Sequence, residues 1–426
     1  MPKPALLIDF GASRIKAALL LNGVVTRVNS YPSVTPKVNA GKRFETSLEK
    51  VKNTFLAIVK EYYYAVTTFD SVYICSEMHG FALLDDNNKP LSEYISWKDE
   101  RSLEDNSFEV LKAELGNSFF EKTGMQPRPC YPLFNINAMV KRGEIKKAKV
   151  VSLPEWLCAC GGSSLNIAHD TMSAGLGFYN IYTKSFDADL INAAGNAELS
   201  FNKVSHDIVP GGYIELNGKQ IAIYTGVGDH QCALLGAGVD DTSISVNLGT
   251  GSQVSMLGLD NKAVQKRPFF NDELLSVITH IPSGRALNAY KEAFDAARPG
   301  EDFWAGITAV TLEDIKNADT DINLAVFESA WGYTGPVQIT VPQGSLKNWF
   351  ASILKSYVTQ YKTAIDRMQP GKQFNKIILS GGVSAKLPVV AEYLQMITNY
   401  AVRQANCKYD ETFCGLQRLA LGNNPK

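Results

Sequence analysis

The chain has 426 residues, of which 45% are hydrophobic and 20% charged, and its formal net charge is −1. This length exceeds what one hydrophobic core usually serves, so the sequence predicts two domains. The near-neutral charge argues against a protein built to bind nucleic acid or an anionic membrane. The sequence contains no run of about 18 apolar residues, so no membrane span is predicted. The seven cysteines are irregularly spaced, which predicts reduced thiols in a cytoplasmic protein, and no leader peptide is expected.

The first thirty residues predict two successive strand–turn–strand units. The apolar run Ala5–Phe10 stops at Gly11, and a later run passes through Asn22-Gly23, the strongest short hairpin signal. The earlier turn, at 9–13, places a carboxylate, a glycine and a hydroxyl on one tight connection. Backbone N–H groups exposed in such turns bind phosphate oxygens, and only glycine lets the backbone approach closely.

A strand predicted at 71–75 is followed by the polar segment Glu77–Gly80. Polar groups at the end of such a strand face the ligand crevice of α/β proteins, although His79 taken alone is better interpreted as a hydrogen-bonded core histidine. Further on, Trp97–Arg101 places an indole, an acid and a guanidinium within one short segment. That set suits a sugar, whose hydroxyls bind charged groups and whose apolar face an indole covers. A plain surface loop has the same composition equally often.

The segment Gly226–Asp229 places two glycines shortly before an aspartate and precedes an apolar helical run at 232–237. An aspartate here lies near the N-terminus of the next helix, where its plain structural role is an N-cap. The same position faces the expected cleft between two halves of the chain, and the two roles are compatible. We therefore predict domains at 1–228 and 229–426, with Asp229 as a catalytic group at their boundary.

The second half of the chain repeats the design of the first. A β-branched run, Ser243–Leu248, is followed by a polar turn at 249–252 and a further strand from Gln253. As in a duplicated domain, each half then offers one phosphate-holding turn to a shared cleft. One such turn is most often only a turn, so the pairing across the halves is what predicts a nucleotide site.

The clearest helix spans Leu346–Met368, because apolar side chains recur there at i, i+3, i+4 and i+7. Pro370 stops it. A short strand from Lys376 then leads into a bare small-residue turn at 380–384 and a helix from about Pro388. Such a turn before a helix N-terminus lets a nucleotide lie against the backbone.

Together these segments resemble the motifs of the FGGY family of carbohydrate kinases, in the family's order and over nearly the whole chain. Any one motif is unspecific, whereas six in order are specific. The resemblance implies an α/β fold of two ribonuclease H-like (actin-like ATPase) domains with an interdomain catalytic cleft. The segments that carry it are Asp9–Lys16, Met78–Gly80 with Trp97–Arg101, His169–Ala174, Gly226–Gly238, Asn247–Ser252 and Leu379–Gly382.

The resemblance also implies the cofactors ATP and Mg²⁺ and a role for each matching residue. Asp229 accepts the proton of the attacking hydroxyl, and Asp9 is the second catalytic carboxylate and the protein group nearest to the metal. The residues implied in sugar binding are Met78, His79, Trp97, Asp99, Arg101 and His230. The residues implied in nucleotide binding are Gly11, Ala12, Ser13, Lys16, Gly249, Thr250, Gly251, Gly381 and Gly382.

The Met-His-Gly triplet resembles that of xylulose and sedoheptulose kinases, which implies transfer of the γ-phosphate of ATP to a primary hydroxyl of a ketose. Three departures leave the sugar open: Glu77 replaces glutamine, His230 replaces asparagine, and bulkier residues replace small ones at 412–417. The expected partner is a small sugar, bound by a monomer or homodimer. Two other functions fit: an actin-like conformational ATPase, which would lack the sugar elements, and a regulatory protein that has lost turnover.

Overall fold

The computed structural model describes residues 3–34, 41–65, 69–249, 251–328, 331–341 and 344–422. Thr250, predicted to bind the nucleotide, lies outside the described residues. Within them, no helix combines the length and apolar character that crossing a membrane requires. All seven cysteines are free thiols.

Strands and helices are numbered here in chain order. The strands of the described residues are β1 (Ala5–Phe10), β2 (Arg14–Leu21), β3 (Val24–Pro32), β4 (Glu45–Thr46), β5 (Ser71–Ser76), β6 (Phe81–Leu84), β7 (Tyr94–Ile95), β8 (Lys147–Ser152), β9 (Gly162–Ser164), β10 (Ile167–His169), β11 (Tyr179–Asn180), β12 (Ser185–Phe186), β13 (Glu198–Phe201), β14 (Lys203–Ser205), β15 (Pro210–Leu216), β16 (Lys219–Tyr224), β17 (Val227–Gly228), β18 (Ser243–Leu248), β19 (Ser252–Leu257), β20 (Gln265–Pro268), β21 (Leu274–Ile281), β22 (Lys376–Ser380) and β23 (Ala401–Gln404). The helices are α1 (Leu48–Ala65), α2 (Ser107–Leu115), α3 (Ser118–Thr123), α4 (Pro132–Lys141), α5 (Leu153–Cys160), α6 (Asp170–Ala174), α7 (Ala188–Ala193), α8 (Asp229–Ala237), α9 (Gly284–Ala297), α10 (Phe303–Thr308), α11 (Leu312–Asn317), α12 (Leu346–Met368), α13 (Gly382–Lys386), α14 (Pro388–Thr398) and α15 (Glu411–Ala420).

The chain folds into two compact units that differ in detail from the predicted division at 228/229. The first unit contains Met1–Gly236, Lys266–Leu274 and Cys407–Lys426, and the second contains Ala237–Gln265 and Leu275–Asn406. Helix packing explains why α8 stays with the first unit. A Cβ at Gly236 of α8 would lie 1.9 Å from the carbonyl oxygen of Glu411 in α15, so the two helices touch at their backbones.

The main sheet of the first unit has the strand order β3-β2-β1-β5-β16-β15-β9, and β17 also pairs with β5. β1 and β17 both run parallel to β5, with Asp9 and Val227 each in register with Cys75. β1 is buried along its whole length, as expected for an apolar strand covered on both faces. The carboxyl ends of three parallel strands therefore meet at one edge of this sheet.

The two largest hydrophobic clusters of the first unit pack helices against its sheets. The first cluster joins α1 and α5 to the main sheet, and its members include Ile8, Val51, Phe55, Ile74 and Leu157. The second cluster joins α2, α3 and α4 to a smaller sheet with the order β13-β8-β6-β7-β4. Its members include Phe81, Leu111, Phe119, Phe134 and Val150. The first cluster thus holds the strands at whose ends the polar residues lie.

The sheet of the second unit repeats the topology of the first. In the order β21-β19-β18-β22-β23, the pairs β21/β19 and β19/β18 are antiparallel, and the pairs β18/β22 and β22/β23 are parallel. The order β3-β2-β1-β5-β16 has the same four directions in sequence. The predicted duplication is therefore confirmed in strand order and strand direction.

Local sequence signals predicted several elements correctly. Asn22 and Gly23 have positive φ values of 50° and 78°, as the predicted hairpin turn requires. The helix Leu346–Met368 has the predicted bounds. The turn predicted at 380–384 was expected to be bare, but α13 occupies most of it.

Candidate active site

Three carboxylates lie at the ends of the three parallel strands. Asp9 lies near the end of β1, Glu77 follows β5 and Asp229 follows β17. Asp9 is 6% exposed and Glu77 is 3% exposed, while Asp229 keeps partial contact with solvent. The register of the strands, set by two hydrogen-bonded pairings with β5, brings the three acidic groups together.

This arrangement makes Asp229 a weaker acid than an ordinary aspartate. Burial, and next the negative charge of Asp9, raise the pKa of Asp229 to about 7; Glu77 adds to the shift and the backbone N–H of His230 opposes it. That N–H donates to Asp229 Oδ1 at 2.7 Å. A carboxylate whose pKa lies near neutrality can accept a proton from a hydroxyl at physiological pH.

Asp9 lies in a network of charged and hydroxyl groups. The antiparallel register of β1 and β2 places Lys16 opposite Asp9, with Nζ 3.7 Å from Oδ2. The hydroxyl of Thr412 in α15 donates to the same oxygen at 3.0 Å. Lys16 also pairs with Asp410, which caps α15 by accepting from the backbone N–H of Thr412. Burial raises the pKa of Asp9, and the charge of Lys16 opposes that shift.

Thr412 was not recognised from the sequence as a functional residue. Asp410 followed by a hydroxyl residue two positions later is an ordinary helix-start pattern. Nothing local indicates that this hydroxyl meets Asp9, which is 403 positions away. The contact could have been found only through the tertiary fold.

The first predicted phosphate turn connects β1 and β2. A Cβ at Gly11 would lie 2.9 Å from the carbonyl oxygen of Arg14, so only glycine fits this turn without a shift. Ala12 is half-buried and Ser13 is exposed. The rim of the turn is therefore open to a ligand.

In the second unit, the predicted turns after β18 and β22 lie together. Gly381 has a φ of 87°, and a Cβ there would lie 3.0 Å from the backbone nitrogen of Gly249. The next residue, Gly382, begins α13. Asn247 Nδ2 donates to Ser380 Oγ at 3.0 Å, which joins the ends of the two parallel strands. The space that a Cβ at Gly251 would occupy is open.

His79 has a left-handed backbone conformation, with a φ of 67°. Its Nδ1 lies 2.9 Å from the carbonyl oxygen of Gly175. The centre of its ring lies 4.6 Å from that of Tyr131. The carbonyl and the aromatic ring together fix the position of this half-buried imidazole.

The neighbours of His79 make close contacts with the carboxylate edge. Tyr94 donates from its hydroxyl to Glu77 Oε1 at 2.6 Å. A Cβ at Gly80 would lie 1.9 Å from the same tyrosine oxygen, so glycine is required there. A Cβ at Gly228 would lie 2.8 Å from Met78 Sδ. The Met-His-Gly triplet is thus packed directly against the strand that leads to Asp229.

The predicted sugar trio is divided between the interior and the surface. Arg101 Nε and Nη2 each donate to Asp99 at 2.8 Å, the backbone N–H of Phe44 donates to Asp99 at 2.7 Å, and Arg101 also pairs with Glu45. Asp99 is 0% and Arg101 1% exposed, whereas Trp97 is 39% exposed. The two charged side chains neutralise each other inside the protein, and only the indole is accessible.

Arg267, in β20, is a second residue that was not recognised from the sequence. Its Nη1 lies 3.5 Å from His230 Nδ1, next in the chain to Asp229. Burial, and next the charge of Arg267, lower the pKa of His230 well below its usual value, so this imidazole is neutral. The charge of Arg267 also lowers the pKa of Asp229. A basic pair before a proline is common surface composition, so the sequence carried no signal for this position.

Comparison with known proteins agrees with this geometry. Residues 5–236 match the family model described as the N-terminal domain of the FGGY family of carbohydrate kinases. The chain is 30% identical over 196 residues to a gluconokinase of Bacillus subtilis (strain 168). That match covers 44% of this chain and 37% of the gluconokinase, so the chain matches well under half of that relative's length.

Two solved structures have a similar fold. The gluconate kinase of Lactobacillus acidophilus has a TM-score of 0.82 and 18% identity, covering 100% of this chain and 91% of that one. The xylulose kinase of Rhodospirillum rubrum has a TM-score of 0.83 and 14% identity, with the same two coverages. The predicted α/β fold of two ribonuclease H-like, actin-like ATPase domains is confirmed by these likenesses.

Proposed function

Because the chain belongs to the FGGY family of carbohydrate kinases, we propose that it transfers the γ-phosphate of ATP to a primary hydroxyl of a sugar. The observation that carries this proposal is the position of Asp229. It follows β17 at the carboxylate edge, and burial raises its pKa to about 7. Asp229 accepts the proton of the sugar hydroxyl as the oxygen attacks the phosphorus.

The phosphate side of the site is assigned to the Asp9 network. Phosphoryl transfer depends mainly on positioning and on neutralising charge, and Lys16 supplies a positive charge 3.7 Å from Asp9. In the first unit, the backbone of Gly11–Ser13 is assigned to the phosphates. In the second unit, the adjoining turns at Gly249 and Gly381 are assigned to the nucleotide.

The residues around Asp9 fit a metal ion held mostly by other ligands. Among the described residues, no group of three or more His, Cys, Asp or Glu is arranged to hold a metal. Mg²⁺ commonly keeps several waters and binds through one or two carboxylates and substrate phosphates, and Asp9 is the buried carboxylate available for that role. When bound, Mg²⁺ neutralises phosphate charge.

The acceptor side is assigned to the groups around His79. The imidazole of His79 and the neutral His230 orient sugar hydroxyls, and Met78 and the exposed indole of Trp97 cover apolar carbon. The buried pair of Asp99 and Arg101 acts as a positioning element, since a direct sugar contact would require breaking it. The predicted substrate residues therefore fall into two groups: residues that contact the sugar, and the buried pair that positions the site.

The acceptor predicted from the motifs is an open-chain ketose of the xylulose or sedoheptulose type. Similarity to a gluconokinase and to a gluconate kinase makes gluconate a second candidate. The positive charge of Arg267, which contacts His230 next to Asp229, is compatible with such an anionic sugar. We place the reaction in the cytoplasm, performed by a monomer or homodimer on a free small sugar.

The test is ADP release measured with Mg·ATP across ketoses, aldonates and polyols. Sugar-dependent release is expected. Equal release without any sugar would support a conformational ATPase instead. No release with any sugar, from protein that binds ATP, would support a regulatory protein that has lost turnover.

A further inference from the structure

The short helix α6 contacts the segment that leads to the proposed base. All five of its residues are buried. Thr171, in its first turn, is 0% exposed, and its Oγ1 accepts the backbone N–H of Gly228 at 3.3 Å. Gly228 ends β17 and directly precedes Asp229. A side-chain hydroxyl of α6 therefore holds the backbone from which the base projects.

The other end of α6 contacts His79. The helix ends at Ala174, and the carbonyl oxygen of the next residue, Gly175, accepts from His79 Nδ1 at 2.9 Å. A Cβ at Gly175 would lie 3.5 Å from both the backbone nitrogen and Nδ1 of His79, so the two segments pack closely. Thr171 and Gly175 are four residues apart, which is about one helical turn. One turn of backbone therefore contacts both the base segment and the acceptor imidazole.

The hydroxyl of Thr171 is itself held by His169, which is 1% exposed. His169 Nδ1 lies 2.9 Å from Thr171 Oγ1, 3.3 Å from the backbone nitrogen of Thr171 and 3.1 Å from Asp170 Oδ1. Burial lowers the pKa of His169, so the ring is neutral at physiological pH. A threonine oxygen has two acceptor lone pairs besides its hydrogen, so it can accept from Gly228 whichever nitrogen of the ring carries the hydrogen. The contact with His169 thus restricts the hydroxyl and leaves its bond to Gly228 in place.

The start of α6 is fastened to a neighbouring strand. Asp170 is 4% exposed, and its Oδ2 lies 2.8 Å from Nδ1 of His206, whose side chain is 37% exposed. His206 directly follows β14, which pairs in parallel with β10 and places Ser205 opposite His169. This register and the contact between Asp170 and His206 hold α6 in place before a substrate binds, which lowers the entropy cost of assembling the site.

We propose that α6 is a positioning element shared by the base and the acceptor site, and that Thr171 is the positioning residue for Asp229. The proposal rests on the proposed kinase function and adds to it a residue that touches neither the sugar nor the reacting atoms. Thr171 acts through the backbone of Gly228, because fixing this amide fixes the direction in which the next side chain projects. Proton transfer and in-line attack need the reacting groups at hydrogen-bonding distance, so a small displacement of the base lowers turnover.

The first experiment removes the hydroxyl of Thr171 and keeps the shape of the side chain. ADP release is measured for the full chain with Mg·ATP and with D-xylulose or D-gluconate, whichever the wild type phosphorylates with the higher kcat/KM. Thr171→Val is expected to lower kcat about tenfold, the effect of one hydrogen bond, and to leave the KM for ATP within about threefold. Thr171→Ser keeps the hydroxyl and is expected to retain most of the turnover.

Thr123→Val is the matched control. Thr123 is 1% exposed, and its hydroxyl also has two backbone partners: it donates to the carbonyl oxygen of Phe119 at 2.7 Å and accepts from the N–H of Met125 at 3.1 Å. This variant is expected to lose stability in urea denaturation and to keep kcat within about twofold of the wild type, because its hydroxyl has no contact with the base segment. Equal kcat values for Thr171→Val and Thr123→Val, or an equal loss of kcat in Thr171→Ser and Thr171→Val, would overturn the positioning role.

The second experiment tests whether Thr171 acts through the base. Thr171→Val is combined with Asp229→Asn, in which no base remains to be positioned, and kcat is expected to fall less than about twofold from that of Asp229→Asn alone. An equal loss of kcat with and without Asp229 would overturn the proposal, since Thr171 would then act independently of the base. Near-normal turnover of Asp229→Asn alone would refute the base and its positioning residue together. Absence of sugar-dependent ADP release from the wild type would instead refute the kinase function, and the positioning role with it.

The third experiment changes the anchor of α6 at a half-exposed position, where the fold tolerates substitution. His206→Ala removes the partner of Asp170 and is expected to lower kcat about three- to fivefold with the KM for ATP unchanged, because α6 is then held less firmly. His206→Gln can still donate to the carboxylate and is expected to restore at least about half of the wild-type kcat. Wild-type kcat in His206→Ala, or equal kcat losses in the two variants, would overturn the anchoring of α6 through Asp170.

Discussion

The hydroxyl of Thr412 lies 3.0 Å from Oδ2 of Asp9, so the first turn of α15 supports a carboxylate on β1. The same hydroxyl lies 3.0 Å from Asp410, which pairs with Lys16. The position of Asp9 therefore depends on a helix that lies far C-terminal to the family-matched segment 5–236.

Thr412→Val is expected to lower kcat/KM about 10- to 100-fold. Valine keeps the shape but removes a hydrogen bond to a charged group, which contributes about 1.5–3 kcal/mol. Steady-state kinetics with varied ATP measures the effect, and Thr412→Ser should retain most of the activity. Equal activity of the valine variant and the wild type would show that Asp9 needs no support from α15.

Asp229→Asn is expected to lower turnover by about 10² to 10⁴-fold while leaving ATP binding nearly intact. The amide cannot accept the hydroxyl proton, and loss of a general base has effects of this size. Turnover is measured by ADP release and ATP binding by calorimetry. Near-normal turnover would remove Asp229 from the role of base.

The pH dependence of kcat/KM is expected to show an acidic limb near pH 7. Asp229 must be ionised to act as a base, and its pKa is raised to about 7, so activity rises with pH through this value and then levels. Glu77→Gln should move the limb to lower pH, because the charge of Glu77 raises the pKa of Asp229. Glu313→Gln, at a carboxylate that is 70% exposed, is the control that should leave the limb in place. If the acidic limb of Glu77→Gln stays at the wild-type pH, the charge of Glu77 does not influence the ionisation of Asp229.

His79→Asn is expected to raise the KM for the sugar by about tenfold and to leave the KM for ATP unchanged. Asparagine tolerates the left-handed backbone conformation of this position, so the loss of the imidazole is measured without added strain. The size corresponds to one hydrogen bond of about 1.4 kcal/mol. An unchanged sugar KM would exclude His79 from the acceptor site.

Arg101→Met is expected to lower the free energy of unfolding of the first unit by about 3–5 kcal/mol, because it leaves the buried Asp99 carboxylate without its partner. Urea denaturation measures the change. Arg43→Gln is the control: Arg43 is 37% exposed and pairs with Glu104, and exposed pairs contribute less than about 1 kcal/mol. Similar stabilities of the two variants would argue against a structural role for the Asp99–Arg101 pair.

The sequence correctly predicted the structural features that depend on residues close together in the chain. The Asn22-Gly23 hairpin, the helix Leu346–Met368 and the repeated strand–turn–strand design follow from local φ requirements and apolar periodicity, and all three are confirmed. The family and the fold, inferred from motifs in order, are also confirmed. The order of the motifs indicates the family and the fold because each motif marks the end of a strand.

The sequence could not predict contacts made across distant segments. Thr412 meets Asp9, and Arg267 meets His230, only because two later segments of the chain return to the first unit. The sequence also could not show that Asp99 and Arg101 are buried, since a charged pair has the same composition on a surface and in an interior. Their functional roles remain predictions that the variants above will test.

The three-segment construction of the first unit has a consequence for biosynthesis. A nascent chain leaving the ribosome presents β1, β5 and Asp229 early, but α15 emerges only after all of 237–406 has been made. Until then Gly236 lacks the helix that packs against it, and Asp9 lacks the hydroxyl of Thr412. A premature stop codon after Asn406 would therefore yield a chain with every strand of the carboxylate edge but an unfinished first unit, a natural substrate for chaperones and proteases.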